Sequence, residues 1–204
     1  YADALQGSIM FVGMIFLLIY TYAKLGGVVE AHKSLTQLFY DPGVGEQVAP
    51  LVKGGFQGWT SMPKFDSPIW WSLVSSIVMG VGIGVLAQPQ LVVRFMTVKS
   101  NRELNRAVAS GGLFILMMTG VAFVVGALSN VLFFRETGQI GWAAVGVDSL
   151  MPEYIRTFVP SWFGTIFLLA LLAAAMSTMS SQFHAMGTSI GRDFYEKSLG
   201  KKGN

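Results

Sequence analysis

Four long windows of the sequence contain no Asp, Glu, Lys or Arg. They cover residues 4–23, 67–93, 107–134 and 157–191, and are 20, 27, 28 and 35 residues long. A transmembrane helix needs about 20 mostly apolar residues, so each window is long enough to span a bilayer. The windows do not alternate between polar and apolar residues as barrel strands do. Because lipid offers backbone groups no hydrogen-bond partner, we predict an all-α membrane protein with four transmembrane helices.

The composition excludes several classes of protein. Charged residues make up 12% of the chain and hydrophobic residues 52%, whereas a soluble domain carries about 25% charged residues. Disorder requires low hydrophobicity and is also excluded. Cysteine is absent, so the chain has neither a disulfide framework nor a thiolate metal site. No P-loop, HExxH or nucleophile–His–acid set is present, and we predict that the chain is not an enzyme and does not bind nucleic acid.

The basic residues predict the topology. Segments 94–106 and 192–204 each hold four Lys or Arg in 13 positions, whereas segments 24–66 and 135–156 share six across 65. The positive-inside rule therefore makes 94–106 an inner loop, 192–204 an inner tail, and the other two outer loops. We expect one multi-pass domain over 1–204 in the cell (inner) membrane, with spans at about 4–23, 67–93, 107–134 and 160–190. Since the chain begins with Tyr1, we expect an internal fragment.

The two predicted outer loops contain few helix signals. In the first, the tripeptide at 41–43 (DPG) and other Gly and Pro residues predict mostly irregular structure, with one short helix near 31–39. In the second, Asp148 is predicted to cap a short surface helix. Such loops either form lids over a pathway or simply connect spans, and the sequence leaves both interpretations open. The five Trp lie in or beside these loops, which is typical of an aromatic belt at one membrane surface.

The second window contains residues 80–90 (GVGIGVLAQPQ). Gly82, Gly84 and Ala87 fit a dinucleotide-binding fingerprint, but no βαβ unit surrounds them and the match is rejected. Gly80 and Gly84 fit the GxxxG pattern of closely packed membrane helices. Alternatively, the glycines and Pro89 interrupt the helix, which is the sequence pattern of a transporter binding site.

The fourth window ends in a stretch of small and hydroxyl-bearing residues. Ala174, Ser177, Thr178 and Ser181 recur at helical spacing and share one face. One interpretation is tight helix packing, with the hydroxyls bonded back to the carbonyls one turn earlier. The other is a sodium site, because hard cations prefer oxygen ligands and neutral oxygens release a monovalent ion readily. His184 either relays protons or makes an ordinary hydrogen bond at the inner interface.

Three motifs carry a resemblance to a known family. Residues 1–6 (YADALQ), residues 84–96 (GVLAQPQLVVRFM) and residues 172–181 (LAAAMSTMSS), the last followed by DFY at 193–195, lie in order along the chain. They are similar to motifs that open the fifth, end the sixth and lie in the eighth core helix of the sodium:solute symporter family. That family includes bacterial proline and pantothenate permeases and the sodium–glucose cotransporters.

The resemblance implies a fold and a set of site residues. The fold is the ten-helix inverted-repeat core shared with bacterial leucine transporters, of which this chain would form core helices five to eight. The family's sodium site lies between its first and eighth core helices, and Asp3 matches an acidic residue on the inner cation pathway. By the same resemblance, the Na⁺ ligands of this chain are the Ala174 carbonyl and the Ser177 and Thr178 hydroxyls, and the substrate cavity is bordered by Gly82, Val85 and Gln88.

The resemblance also implies a function. We expect a sodium-coupled secondary active transporter that takes up a small organic solute by alternating access, with Na⁺ as the coupling ion and no other cofactor. The predicted partners are Na⁺, the solute and the lipid bilayer. Proline permeases carry aromatic residues where this chain has Val81 and Val85, which argues against proline as the solute. The alternatives are the membrane sensor module of a symporter-like histidine kinase and a purely structural membrane subunit.

Overall fold

The computed structural model of the chain describes residues 2–84 and 96–191, and within these ranges its regular structure is entirely helical. The helices in chain order are α1 (Ala2–Leu25), α2 (Val28–Phe39), α3 (Pro42–Lys53), α4 (Pro68–Ile83), α5 (Asn101–Thr137), α6 (Gly141–Val145), α7 (Leu150–Phe158) and α8 (Ser161–Thr188). The prediction of an all-α protein is confirmed.

Three helices of the described part of the chain are long and apolar enough to cross a membrane. They are α1 over Leu5–Leu25, α5 over its full length, and α8 with its extension to Gly191. They coincide with the first, third and fourth charge-free windows. The second window is represented by α4, a shorter apolar helix, and its residues 85–93 lie outside the described residues. The arrangement of four spans and its topology remain predictions.

Helix α4 changes its winding after one turn. Pro68–Trp71 is α-helical, and Ser72–Ile83 takes the wider π-helical winding. A Cβ atom on Gly80 would lie 3.3 Å from the carbonyl oxygen of Ser75, five residues earlier, so the missing side chain of Gly80 favours this winding. π-Helical turns are rare in proteins, and those that occur are frequently found at functional sites.

The chain divides into two compact units. The first contains Tyr1–Gly13 and Pro160–Asn204, and the second contains Met14–Val159. In the first unit, a Cβ atom added to Gly13 would lie 3.0 Å from Cδ2 of Phe167. The absence of a side chain at Gly13 therefore allows α1 to approach α8 closely. Phe163 stacks on Phe167 with ring centroids 5.5 Å apart.

The core of the second unit joins one face of α1 to α2, α3, α5 and α7. Helix α5 is 37 residues long, or about 55 Å, and its buried residues all lie between Val121 and Phe133. Burial of each Val, Leu or Phe side chain contributes about 1.5–3 kcal/mol. The buried apolar residues of this unit are Met14, Leu17, Leu25, Ala31, Leu35, Leu38, Val44, Val48, Val121, Val125, Leu128, Val131, Leu132, Phe133, Ile140, Tyr154 and Val159.

The first predicted outer loop is more helical than the sequence suggested. Two helices of 12 residues, α2 and α3, occupy much of it, so the expectation of mostly irregular structure is wrong. The side chain of Asp41 accepts a hydrogen bond from the Gly43 backbone N–H at 2.8 Å, and Pro42 is the first helical residue. The tripeptide interpreted as a turn is in fact a helix start, because a capping Asp followed by Pro suits both roles.

The capping role predicted for Asp148 is also wrong. Helix α7 begins at Leu150, its N-cap is Ser149, and no side chain caps it. By contrast, α5 starts with the Oγ atom of Ser100 accepting from the Glu103 backbone N–H at 3.3 Å. Its C-cap is Gly138, whose φ of 70° is left-handed, a conformation that glycine adopts without strain.

Candidate functional site

The hydroxyl-bearing face predicted for the fourth window exists on α8. The hydroxyl of Thr178 donates to the carbonyl oxygen of Ala174 across 3.0 Å, and the hydroxyl of Ser181 donates to the Thr178 carbonyl across 2.8 Å. Ala174 and Ser177 are half-buried, and Thr178 is exposed. Two neighbouring oxygens, those of Ala174 and Thr178, are therefore held together on one side of the helix.

This geometry suits both interpretations of the face. Bonds from a hydroxyl to the carbonyl one turn earlier are the pattern that helix packing predicts. Two neutral oxygens this close can also bind one hard cation, which prefers several oxygen ligands. Among the described residues, no group of three or more His, Cys, Asp or Glu is placed to hold a metal ion. The oxygen atoms that α8 offers as ligands belong to a carbonyl and to hydroxyls.

The other predicted site residues are placed to different extents. Asp3 lies in the first turn of α1, in the same compact unit as α8. Gly82 lies in the π-helical part of α4, where an added Cβ atom would lie 3.9 Å from the Ile77 carbonyl oxygen. Val85 and Gln88 lie outside the described residues. The structure thus brings Ala174 and Thr178 together and leaves the cavity residues of the second window as predictions.

A buried polar contact joins α1 to α7. Thr21 and Tyr154 are fully buried, and their hydroxyl oxygens are 2.6 Å apart. The Thr21 hydroxyl donates to the Leu17 carbonyl across 2.6 Å. Since threonine has a single hydroxyl proton, Tyr154 must be the donor to Thr21. Burial raises the pKa of Tyr154, with the Thr21 hydrogen bond opposing it, so the phenol stays protonated at neutral pH and can donate.

Two amide side chains hold the turn between α5 and α6. Asn130 accepts from the Gly141 backbone N–H at 3.1 Å. Gln47 on α3 accepts from the Ile140 N–H at 2.8 Å and donates to the Gly138 carbonyl at 3.3 Å. These contacts connect the two predicted outer loops. We call the assembly of α2, α3, α6 and α7, with the ends of α1 and α5 that pack on them, the helical cap.

Sequence reasoning did not single out the residues that build the helical cap. Asn130 carried a usable signal, since an isolated amide inside a 28-residue charge-free window needs a partner. Tyr154 and Gln47 carried none, because their partners lie 133 and 93 positions away.

A comparison of the whole chain with protein families shows to which family it belongs. The model of the sodium:solute symporter family matches residues 1–204. The chain belongs to the sodium:solute symporter family. This match confirms the resemblance inferred from the three motifs. It also confirms the expectation that the chain belongs to a protein of the cell membrane.

Individual members of the sodium:solute symporter family align with almost the whole chain. The sodium/pantothenate symporter of Haemophilus influenzae is 28% identical over 193 residues, which cover 95% of this chain and 35% of that protein. The high-affinity proline transporter PutP of Bacillus subtilis is 25% identical over 196 residues, covering 96% and 36%. The chain spans about a third of the length of these relatives. No solved structure matches it significantly.

Proposed function

We propose that the chain is part of a symporter in which inward Na⁺ flow drives uptake of a small organic solute by alternating access. Family membership and the names of the relatives, a sodium/pantothenate symporter and a proline transporter, support this proposal. The observation that carries it is the pair of oxygens from Ala174 and Thr178, 3.0 Å apart in a charge-free helix of membrane-spanning length.

In the proposed sodium site, α8 contributes the Ala174 carbonyl and the hydroxyls of Ser177 and Thr178. Oxygen ligands suit a hard cation, and their neutrality keeps the ion from being held too tightly to leave. The remaining ligands would come from the family's first core helix, which this chain does not include. The proposed fold is the ten-helix inverted-repeat core, with this chain as core helices five to eight.

The geometry of the first unit supports a role for Asp3 on the cation pathway. Gly13 faces Phe167, and the predicted topology makes α1 and α8 antiparallel. Asp3 precedes Gly13 by ten residues, and Ser177 follows Phe167 by ten. Ten residues of helix rise about 15 Å, so in that arrangement the backbones of Asp3 and Ser177 both lie on the inner side of the contact between Gly13 and Phe167. A carboxylate on that side attracts a cation entering or leaving the site.

The solute cavity is proposed to border Gly82, Val85 and Gln88, on the resemblance of the second window. Proline and pantothenate, after which the relatives are named, both carry a carboxylate. Small carboxylates are therefore the first solutes to test, and the valines at positions 81 and 85 disfavour proline among them. The names of the relatives also favour transport over the sensor module of a histidine kinase.

The test is uptake by the full-length protein in lipid vesicles. A panel of labelled small carboxylates, including proline and pantothenate, is offered with an inward Na⁺ gradient and with the same gradient of K⁺. We expect at least one solute to accumulate with Na⁺ only, and the accumulation to collapse when the gradient is dissipated. Uptake of every solute at the same rate with either cation would contradict the proposal.

A further inference from the structure

An exposed group of aromatic side chains lies where the chain enters α4. Phe65 is 76% exposed and Trp71 is 52% exposed. The Phe65 and Trp70 rings are 4.8 Å apart, and the Trp70 and Trp71 rings 5.0 Å, all in edge-to-face arrangements. We call Phe65, Trp70 and Trp71 the aromatic cluster. Contiguous exposed apolar surface of this kind marks an interaction site.

The aromatic cluster is fixed by a strained residue. Asp66 has a φ of 61°, which among the described residues makes it the one non-glycine residue with positive φ. Its carboxylate accepts a hydrogen bond from the Trp71 indole N–H at 2.8 Å. Strained backbone persists where the surrounding structure requires it and is concentrated at functional positions. Here the strain aims a carboxylate at the indole and sets the orientation of the ring.

The backbone beneath the aromatic cluster is tied to the end of α3. The Lys64 N–H donates to the Gly55 carbonyl at 2.8 Å, and the Ile69 N–H donates to the Gly54 carbonyl at 3.1 Å. Ser67 is buried, and its hydroxyl oxygen accepts from the Trp70 N–H at 3.2 Å as the cap of α4. The aromatic side chains are thus presented by a segment that backbone hydrogen bonds hold to the end of α3.

We propose that the aromatic cluster is an anchor for the lipid head-group region, which fixes the depth of α4 in the bilayer. Trp is enriched at membrane interfaces because its ring is apolar and its N–H is polar. Trp70 and Trp71 occupy the first turn of an apolar helix, where the chain leaves the polar loop. The Asp66 carboxylate holds the indole N–H on the watery side, and the ring faces lipid.

The anchor has a consequence for the rest of α4. Holding Trp71 at the interface also fixes the depth of Gly80 and Gly82, which lie nine and eleven residues further along in the π-helical part of α4. The inference rests on the membrane location of the chain and not on the proposed transport function.

The experiment measures the depth of Trp71 in vesicles that contain the full-length protein. The emission lost in Trp71→Phe is that of Trp71 itself, and Phe keeps an aromatic ring in the cluster. Quenching of the Trp71 emission is measured with three quenchers in turn. They are lipids brominated close to the head group, lipids brominated near the end of the acyl chain, and aqueous iodide. We expect the shallow bromines to quench this emission about twofold or more better than the deep bromines, since Trp resides at head-group level.

Two other outcomes would overturn the proposal. Quenching by iodide without quenching by bromine would place Trp71 in water, and quenching by neither would mean that protein, from this or a second copy, covers it. The emission lost in Trp59→Phe is the matched control. Trp59 is half-buried and packs edge-to-face on Phe56 at 5.3 Å. We therefore expect Trp59 to be an exception to the aromatic belt predicted from the sequence, and bromine to leave its emission unchanged.

Substitutions of Asp66 test the tether. Asp66→Asn keeps an oxygen acceptor and tolerates positive φ, and the preference for shallow bromines should persist. Asp66→Gly adopts the same φ without strain but removes the acceptor, and the ratio of shallow to deep quenching should fall towards one. Equal ratios in the two variants would show that the Asp66 carboxylate does not orient the anchor.

Discussion

Thr21 in the helical cap and Thr178 on α8 make the same local bond and differ in everything around it. Each hydroxyl donates to the carbonyl four residues earlier, Thr21 at 2.6 Å and Thr178 at 3.0 Å. Thr21 is fully buried and its oxygen also accepts from Tyr154. Thr178 is exposed and lies beside a half-buried serine on a face of small residues. The same hydrogen bond therefore completes a packed structure in one region and leaves an oxygen accessible in the other.

The difference separates a structural role from a binding role. Removing an oxygen from the helical cap should lower the free energy of unfolding and leave ion affinity unchanged. Removing an oxygen from the face of α8 should do the reverse, if that face binds Na⁺. Helix packing alone predicts almost no effect on α8, since membrane hydrogen bonds average about 0.6 kcal/mol.

The largest effect is expected from Ser177→Ala and Thr178→Ala. Leaving a desolvated cation short of one oxygen should cost about 1–3 kcal/mol, the scale for an unpaired buried polar group. This cost corresponds to a rise of about 5- to 150-fold in the Na⁺ concentration for half-maximal uptake. Ser180→Ala removes a hydroxyl that is not among the proposed Na⁺ ligands, so it is the control and should change this concentration little. The same Na⁺ dependence in all three variants would leave packing as the role of this face.

The next effect concerns the helical cap. Thr21→Val removes the acceptor of a buried phenol, which should lower the free energy of unfolding by about 1–3 kcal/mol. Tyr154→Phe removes one hydrogen bond and leaves Thr21 bonded to Leu17, so the loss should be about 0.5–1.5 kcal/mol. Thermal or denaturant unfolding in detergent measures both, with Thr21→Ser as the control that keeps the hydroxyl. A marked loss of Na⁺ affinity in Thr21→Val at unchanged stability would contradict the structural role of Thr21.

The smallest effect is expected from Asp3→Asn. A carboxylate that only attracts the ion along its path contributes up to about 1 kcal/mol, as exposed charge pairs do, which is a change of about fivefold. Uptake should be slowed by up to that factor at limiting Na⁺, with normal expression and stability. Asp3→Glu keeps the charge and should transport nearly normally. Unchanged sodium dependence in Asp3→Asn would identify Asp3 as an ordinary solvated residue at the membrane edge.

Much of the fold could be predicted because it depends on local sequence. The charge-free windows indicate α1, α5 and α8, since a backbone in lipid must satisfy its own hydrogen bonds. The sequence does not indicate helix α3, because Asp41 and Pro42 suit a turn as well as a helix start. It predicts a cap for α7 at Asp148, one residue before the N-cap Ser149. The π-helical winding of Ser72–Ile83 in α4 is not indicated by any periodicity of the sequence.

In the candidate site too, contacts within one helix could be predicted from the sequence, and contacts between helices could not. The proximity of Ala174 and Thr178 follows from a spacing of four residues in a helix, and the sequence alone predicted it. The packing of Gly13 against Phe167 joins positions far apart in the chain, and so does the bond between Thr21 and Tyr154. Contacts of this kind depend on how helices pair, which hydrophobic patterning does not specify. Val85 and Gln88 remain predictions that rest on the resemblance.

Equilibrium binding of radioactive Na⁺ tests the central claim most directly, because it does not depend on knowing the solute. The full-length protein is compared with Ser177→Ala/Thr178→Ala and with Ser180→Ala, at matched amounts of folded protein. The account predicts saturable Na⁺ binding by the unaltered protein and by Ser180→Ala, and a loss of affinity of at least about fivefold in the double variant, which is the lower bound for either single substitution. Equal Na⁺ affinity in all three would contradict it.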